Sequence, residues 1–140
     1  MKRKIFLSIS IILAVSIFAA NFLSCKDSPE KDSKPIKKID RSLLVGDWVR
    51  TDASYLVKII KVNQDRTLEA QYFNPNPINV GKANWEESYG SLKIIIELRD
   101  VNYPGSTYTL SYLPDRDVLA GDYYQAVEGI TFYVEFTRNK

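Results

Sequence analysis

Ser91-Leu92-Lys93-Ile94-Ile95-Ile96-Glu97-Leu98-Arg99 decides how this chain folds. Leu92, Ile94, Ile96 and Leu98 recur at every second position, and Lys93, Glu97 and Arg99 fall on the opposite face. Successive side chains of a strand point to opposite faces, so this spacing gives one apolar face and one wet face. A helix would split the same four aliphatics between opposite sides. The β-branched isoleucines also favour pleated backbone. Tyr108, Leu110 and Tyr112 alternate in the same way with Thr107, Thr109 and Ser111. Ile130, Phe132, Val134 and Phe136 alternate with Thr131, Tyr133, Glu135 and Thr137. Tyr124 and Tyr133 fall out of phase with the apolar faces, which places them on the outer surface.

Working outward from these runs, eight strands are expected, at 45–50, 54–62, 67–73, 78–86, 91–99, 106–113, 117–124 and 129–138. No stretch of this region carries a helical period. The connections are short and made of turn formers, for example Asn63-Gln64-Asp65-Arg66 and Pro114-Asp115-Arg116. Short connections join sequential antiparallel neighbours. A meander of eight strands closes most naturally on itself, because closure removes exposed edges. The expected fold class is therefore all-β, an eight-stranded antiparallel up-and-down barrel over residues 41–140. An open meander or a two-sheet sandwich is the alternative.

The N-terminal part has a different character. Lys2, Arg3 and Lys4 precede an apolar run from Ile5, and the run ends at Ser24-Cys25. This is the anatomy of a secretory signal. Phe22-Leu23-Ser24-Cys25 resembles the lipobox of bacterial lipoproteins, with Phe where most carry Leu. That resemblance implies removal of residues 1–24 and acylation of Cys25, the only cysteine of the chain. An uncleaved anchor is a competing reading, since the run from Ile5 to Leu23 is roughly long enough to span a bilayer. A secreted protein with a buried free thiol is another. Residues 25–40 are rich in lysine, acids, proline and serine, with Ile36 and Ile39 the only bulky apolar side chains. Such a segment buries too little to fold and reads as a tether. Lys26 follows the cysteine, which by the same resemblance favours the outer membrane; the face of that membrane stays open.

A second resemblance concerns the domain. Gly46-Asp47-Trp48 opens the meander, and Thr67-Leu68-Glu69-Ala70-Gln71-Tyr72 follows a hairpin later. This pattern is similar to the start of the avidin and lipocalin (calycin-like) barrels. In those barrels a Gly-x-Trp strand places its Trp at the closed end. The runs YFNPNPINV and RDVNYPGSTYTLSY also resemble small bacterial lipoproteins of uncharacterised function.

Composition narrows the chemistry. Three of the 19 basic residues precede Cys25, and none of the 17 acidic ones do, so the remainder of the chain is near neutral. It has no basic stripe, and nucleic acid is not an expected partner. The chain has no histidine. With its one cysteine expected to be acylated, it lacks the usual ligands of transition metals and the usual nucleophile–base pairs. The expectation is a non-catalytic protein with no metal and no cofactor.

An up-and-down topology gathers alternate loops at one end. The loops 51–53, 74–77, 100–105 and 125–128 share a mouth, and they are richer in amides, aromatics and prolines than the loops opposite. Rigid loops on a barrel rim are where binding sites tend to sit. The candidate ligand-binding residues are Asn74, Asn76, Asp100, Asn102, Tyr103 and Gln125. The same residues are also ordinary turn formers, which is the competing reading. The expected function is a lipid-anchored envelope binding module that presents this mouth to a small polar ligand, a glycan or an envelope protein. A hydrolase inhibitor or a structural envelope lipoprotein are the alternatives.

Cys25→Ser is expected to leave the precursor unprocessed or to release the protein from membranes. Fractionation and precursor mass read this directly, and unchanged processing with unchanged fractionation would count against lipidation.

Overall fold

The computed structural model describes residues 39–139, and Cys25, the expected signal segment and most of the expected tether lie outside them. The Ser91 run forms the centre of β6 (Ser91–Asp100). Its four aliphatics are fully buried, while Lys93 and Arg99 are exposed. The other strands are β1 (Gly46–Arg50), β2 (Leu56–Val62), β3 (Leu68–Asn74), β4 (Asn76–Ile78), β5 (Val80–Ser88), β7 (Tyr103–Leu113), β8 (Val118–Gln125) and β9 (Ile130–Arg138).

All nine strands form one antiparallel sheet in the order β4-β3-β2-β1-β9-β8-β7-β6-β5. The first and last strands pair side by side, Trp48 opposite Arg138 and Arg50 opposite Phe136. The sheet curls until its two ends, β4 and β5, meet. Those ends are consecutive in the chain, joined by Asn79 alone. The seam is stitched by Trp85 N–H donating to the Arg66 carbonyl (2.9 Å), and by Arg99 N–H donating to the Asn79 carbonyl (2.8 Å). A single bridge pairs Thr67 with Asn84. The result is a nearly closed up-and-down barrel, compatible with a calycin-like fold.

The structure corrects the expected strand number from eight to nine. The run 78–86, read as one strand, breaks at Asn79 because it serves two partners. Before the break, Ile78 pairs with Tyr72 of β3. After it, Val80 pairs with Leu98 of β6, and the register shifts between Val80 and Lys82. Pro77 has no N–H for a continuous ladder, so a change of partner costs little there. Two expected loops also shrink. Asn74 and Asn76 pair across Pro75 as the ends of β3 and β4. The loop 100–105 reduces to a turn at Val101-Asn102.

The closed end is built around Trp48, whose ring is fully buried. Its indole N–H donates to the Leu44 carbonyl at 2.9 Å. Leu44 ends a short 3-10 helix (Arg41–Leu44) that Asp40 caps by accepting from Ser42 N–H at 2.9 Å. Ile39 packs against the core beside it. The guanidinium of Arg138 lies over the Trp48 ring, 4.2 Å from its centroid. Gly46 makes room for this arrangement. It has φ of +143°, and a Cβ there would lie 2.5 Å from Arg138 Nη1. The glycine and the tryptophan of Gly46-Asp47-Trp48 thus both lie against the arginine that arrives from the last strand.

Trp48→Ala is expected to destabilise the domain by about 3–5 kcal/mol, the range for deletion of a buried large aromatic. Thermal or urea unfolding reads the loss. A melting temperature within a degree or two of wild type would contradict the closed-end packing.

A candidate binding cavity at the open mouth

Alternation along β1 carries the argument from the closed end to the open one. Trp48 points into the barrel, so Arg50, two residues on, points inward as well. Arg50 therefore sits inside the wall at the opposite end. Its side chain is only 10% exposed. On the neighbouring strands Phe132, Tyr123 and Gln125 follow the same parity, and on β3 so do Tyr72 and Asn74. These side chains line a cavity of about 470 Å³ together with Asp52, Ala53, Tyr55, Asn102 and Tyr103. That volume suits a small molecule.

The floor is aromatic. Tyr108 is fully buried and stacks on Tyr123 with ring centroids 4.3 Å apart. Its hydroxyl shares a hydrogen bond with that of Tyr72 at 3.0 Å. Burial pushes the Tyr108 phenol up to about 12. Burial also raises that of Tyr72, with its neighbour Tyr108 adding to the effect. Both phenols are neutral hydrogen-bonding groups under all ordinary conditions. Tyr72 meets Tyr55 and Tyr103 edge to face. The Asn74 side-chain amide donates to the Tyr103 hydroxyl, a bond that fixes one part of the rim.

Arg50 is the one cation and Asp52 the one anion among the lining residues. Arg50 Nε donates to Asp52 Oδ1 at 2.5 Å and Nη2 donates to Oδ2 at 2.9 Å. The guanidinium also lies 5.2 Å from the Tyr55 ring centroid and 5.9 Å from that of Tyr123. Burial alone would disfavour its charge, but the Asp52 bond and the Tyr108 hydroxyl outweigh it and hold the guanidinium charged. The Arg50 hydrogen bond holds the Asp52 carboxyl below its ordinary range. The two partners differ in access, since the Asp52 side chain is 59% exposed.

Of the candidates named from the sequence, Asn74, Asn102, Tyr103 and Gln125 line this cavity. Asn76 and Asp100 do not. Asn76 is exposed in the β3–β4 hairpin. Asp100 is occupied with backbone, accepting from Asn79 N–H at 3.1 Å and from Val101 N–H at 2.8 Å. Sequence reasoning missed Arg50, Asp52, Tyr55, Tyr72, Tyr123 and Phe132. The parity of Arg50 with Trp48 was a readable signal for the first of them. Tyr124 and Tyr133 are exposed on the outer face of adjacent strands. Among the described residues, no three His, Cys, Asp or Glu side chains group to hold a metal ion. No known protein family, curated protein or solved structure matches the chain.

If Arg50 is not needed for the fold, an apolar side chain of similar reach should replace it without loss. Exchange of a buried ion pair for apolar packing is often neutral or stabilising, and here the orphaned Asp52 would simply face water. Arg50→Met is expected to melt at or above the wild-type temperature. A fall of more than several degrees would assign Arg50 to the folding core instead.

Proposed function

We propose that this chain is a non-catalytic binding protein of the cell envelope, anchored by a lipid on Cys25, whose open mouth takes a small polar ligand. The observation that carries the proposal is the cavity of about 470 Å³ at the end of the barrel where the amide- and tyrosine-rich connections meet. Its lining combines aromatic faces from Tyr55, Tyr103, Tyr123 and Phe132 with the amides of Asn74, Asn102 and Gln125. Few polar groups on an apolar, largely pre-formed wall are what small-molecule sites use for orientation. A protruding inhibitory loop has less support, because the connection after β6 is only the turn at Val101-Asn102. The lysine after Cys25 favours the outer membrane as the place of attachment.

The test is a thermal-shift screen of the full chain, purified in detergent, against neutral sugars, amides and small envelope metabolites. A ligand that binds only the folded state raises the melting temperature with concentration. At least one such compound is expected, with its gain lost in Asn102→Ala and in Tyr103→Ala. No stabilising compound, or a gain that survives both substitutions, would remove the mouth as a binding site.

A further inference from the structure

The barrel contains two inward-facing arginines, one at each end, and they are held very differently. Arg138, at the closed end, makes four hydrogen bonds. It donates to both carboxylate oxygens of Asp117 (2.8 and 2.9 Å) and to the carbonyls of Val45 (2.8 Å) and Leu43 (2.7 Å). Two of its partners are backbone, so they cannot leave. This arginine ties β9 to the segment before β1 and is structural.

Arg50 has no such anchoring. Its side chain donates twice to the carboxylate of Asp52, and the Tyr108 hydroxyl on the cavity floor supports its charge from the other side. Asp52 lies in the bend between β1 and β2 and is mostly in water. Withdrawal of Asp52 would return a carboxylate that is already 59% exposed to solvent and leave Arg50, only 10% exposed, in need of another anion. The guanidinium would remain where it is, framed by the Tyr55 and Tyr123 rings and facing the cavity. A planar fork of N–H donors recognises a carboxylate in two parallel bonds, and Asp52 already shows that geometry on this arginine. A single guanidinium balances one negative charge, which favours a monocarboxylate over a dianionic phosphate.

We propose that Asp52 is a resident stand-in, and that the ligand of this mouth is a small monocarboxylic acid whose carboxylate displaces Asp52 from Arg50. This rests on the reading of the mouth as a binding site and names the class of ligand. The exchange is one carboxylate for another on the same N–H fork, with no covalent step. The body of the ligand meets the side-chain amides of Asn74, Asn102 and Gln125, so it carries hydroxyl or amide groups rather than a long alkyl chain. Asp52 sets a threshold: it competes with weak or dilute acids and keeps Arg50 paired when the mouth is empty.

Calorimetric titration of the full chain in detergent with N-acetylglycine, benzoate, glucuronate and inorganic phosphate tests this, beside the methyl esters of the three acids. At least one acid is expected to bind, and its ester to bind at least about tenfold more weakly, in line with loss of a charge-assisted bond. Asp52→Asn is expected to tighten the acid about tenfold by removing the competing charge. Arg50→Met is expected to abolish acid binding, with its melting curve showing that it folds. Equal binding of acid and ester, no gain in Asp52→Asn, phosphate bound more tightly than every acid, or no acid bound by any variant would each overturn the proposal. If neutral compounds bind through Asn102 and Tyr103 while acids do not, the binding mouth stands and the carboxylate exchange falls. If nothing binds at the mouth, both fall.

Discussion

The stack of Arg138 on Trp48 is the contact on which the barrel depends. It joins the last strand to the first at the point where a meander must close, between residues paired in register. An open meander would expose the edges of its terminal strands. Here those strands pair, and the arginine then reaches past the tryptophan to the carbonyls of Leu43 and Val45. The cationic face contact adds attraction to the apolar burial of the indole. The helical turn before β1 is held by the same group, through Trp48 and Leu44. One arginine therefore fixes the closure of the ring, the plug of its lower end and the path of the chain entering it. With the terminal strands paired, the discontinuity of the sheet moves elsewhere. It falls between β4 and β5, where the covalent chain itself crosses the gap at Asn79.

The interior is layered along the barrel axis. Trp48, Leu44 and Tyr112 fill the closed end, with Trp48 and Tyr112 in edge-to-face contact. Leu92, Ile94, Leu110 and Leu119 are fully buried aliphatics of the core. Tyr72, Tyr108 and Tyr123 separate the core from the mouth. Tyrosine suits such a boundary because its ring is apolar and its hydroxyl needs a partner. The Tyr72 and Tyr108 hydroxyls satisfy each other. Core packing therefore ends at a surface that is already hydrogen-bonded, and space beyond it can stay open without stranding a polar group.

Alternation made most of this architecture legible in the sequence. The buried face of β6, the inward set Tyr108, Leu110 and Tyr112, and the outward placement of Tyr133 all follow from a period of two. The break at Asn79 was not legible, because it reflects a change of pairing partner and not a change in local pattern. Pro77 was the available hint. Of the mouth, the loop residues could be found by topology, while the strand residues could not be separated from core by pattern alone. Ile130 and Phe132 show why. They share the inward face of β9 with Val134 and Phe136, yet they are 45% and 42% exposed, because the wall extends past the packed interior. Parity gives the direction of a side chain; depth along the barrel decides whether it is core or cavity.

Depth also explains why Arg50 merits separate weight from the surface ion pairs. Arg99 with Glu97 and Lys61 with Glu69 lie on the outside, where water screens them and their loss changes little. Arg50 pairs with a solvent-facing partner while its own side chain is held inside the wall. A charge in that position carries a desolvation cost, which Asp52 and the Tyr108 hydroxyl together outweigh. The neighbouring inward position on β1, Trp48, is filled by a large apolar side chain, and Phe136 lies directly across from Arg50. An apolar residue at position 50 would continue that packing. Arg138 donates to the backbone carbonyls of two residues, whereas the partners of the Arg50 side chain are themselves side chains, Asp52 and Tyr108. On the proposed carboxylate exchange, that difference in partners is what leaves the charge of Arg50 open to a ligand.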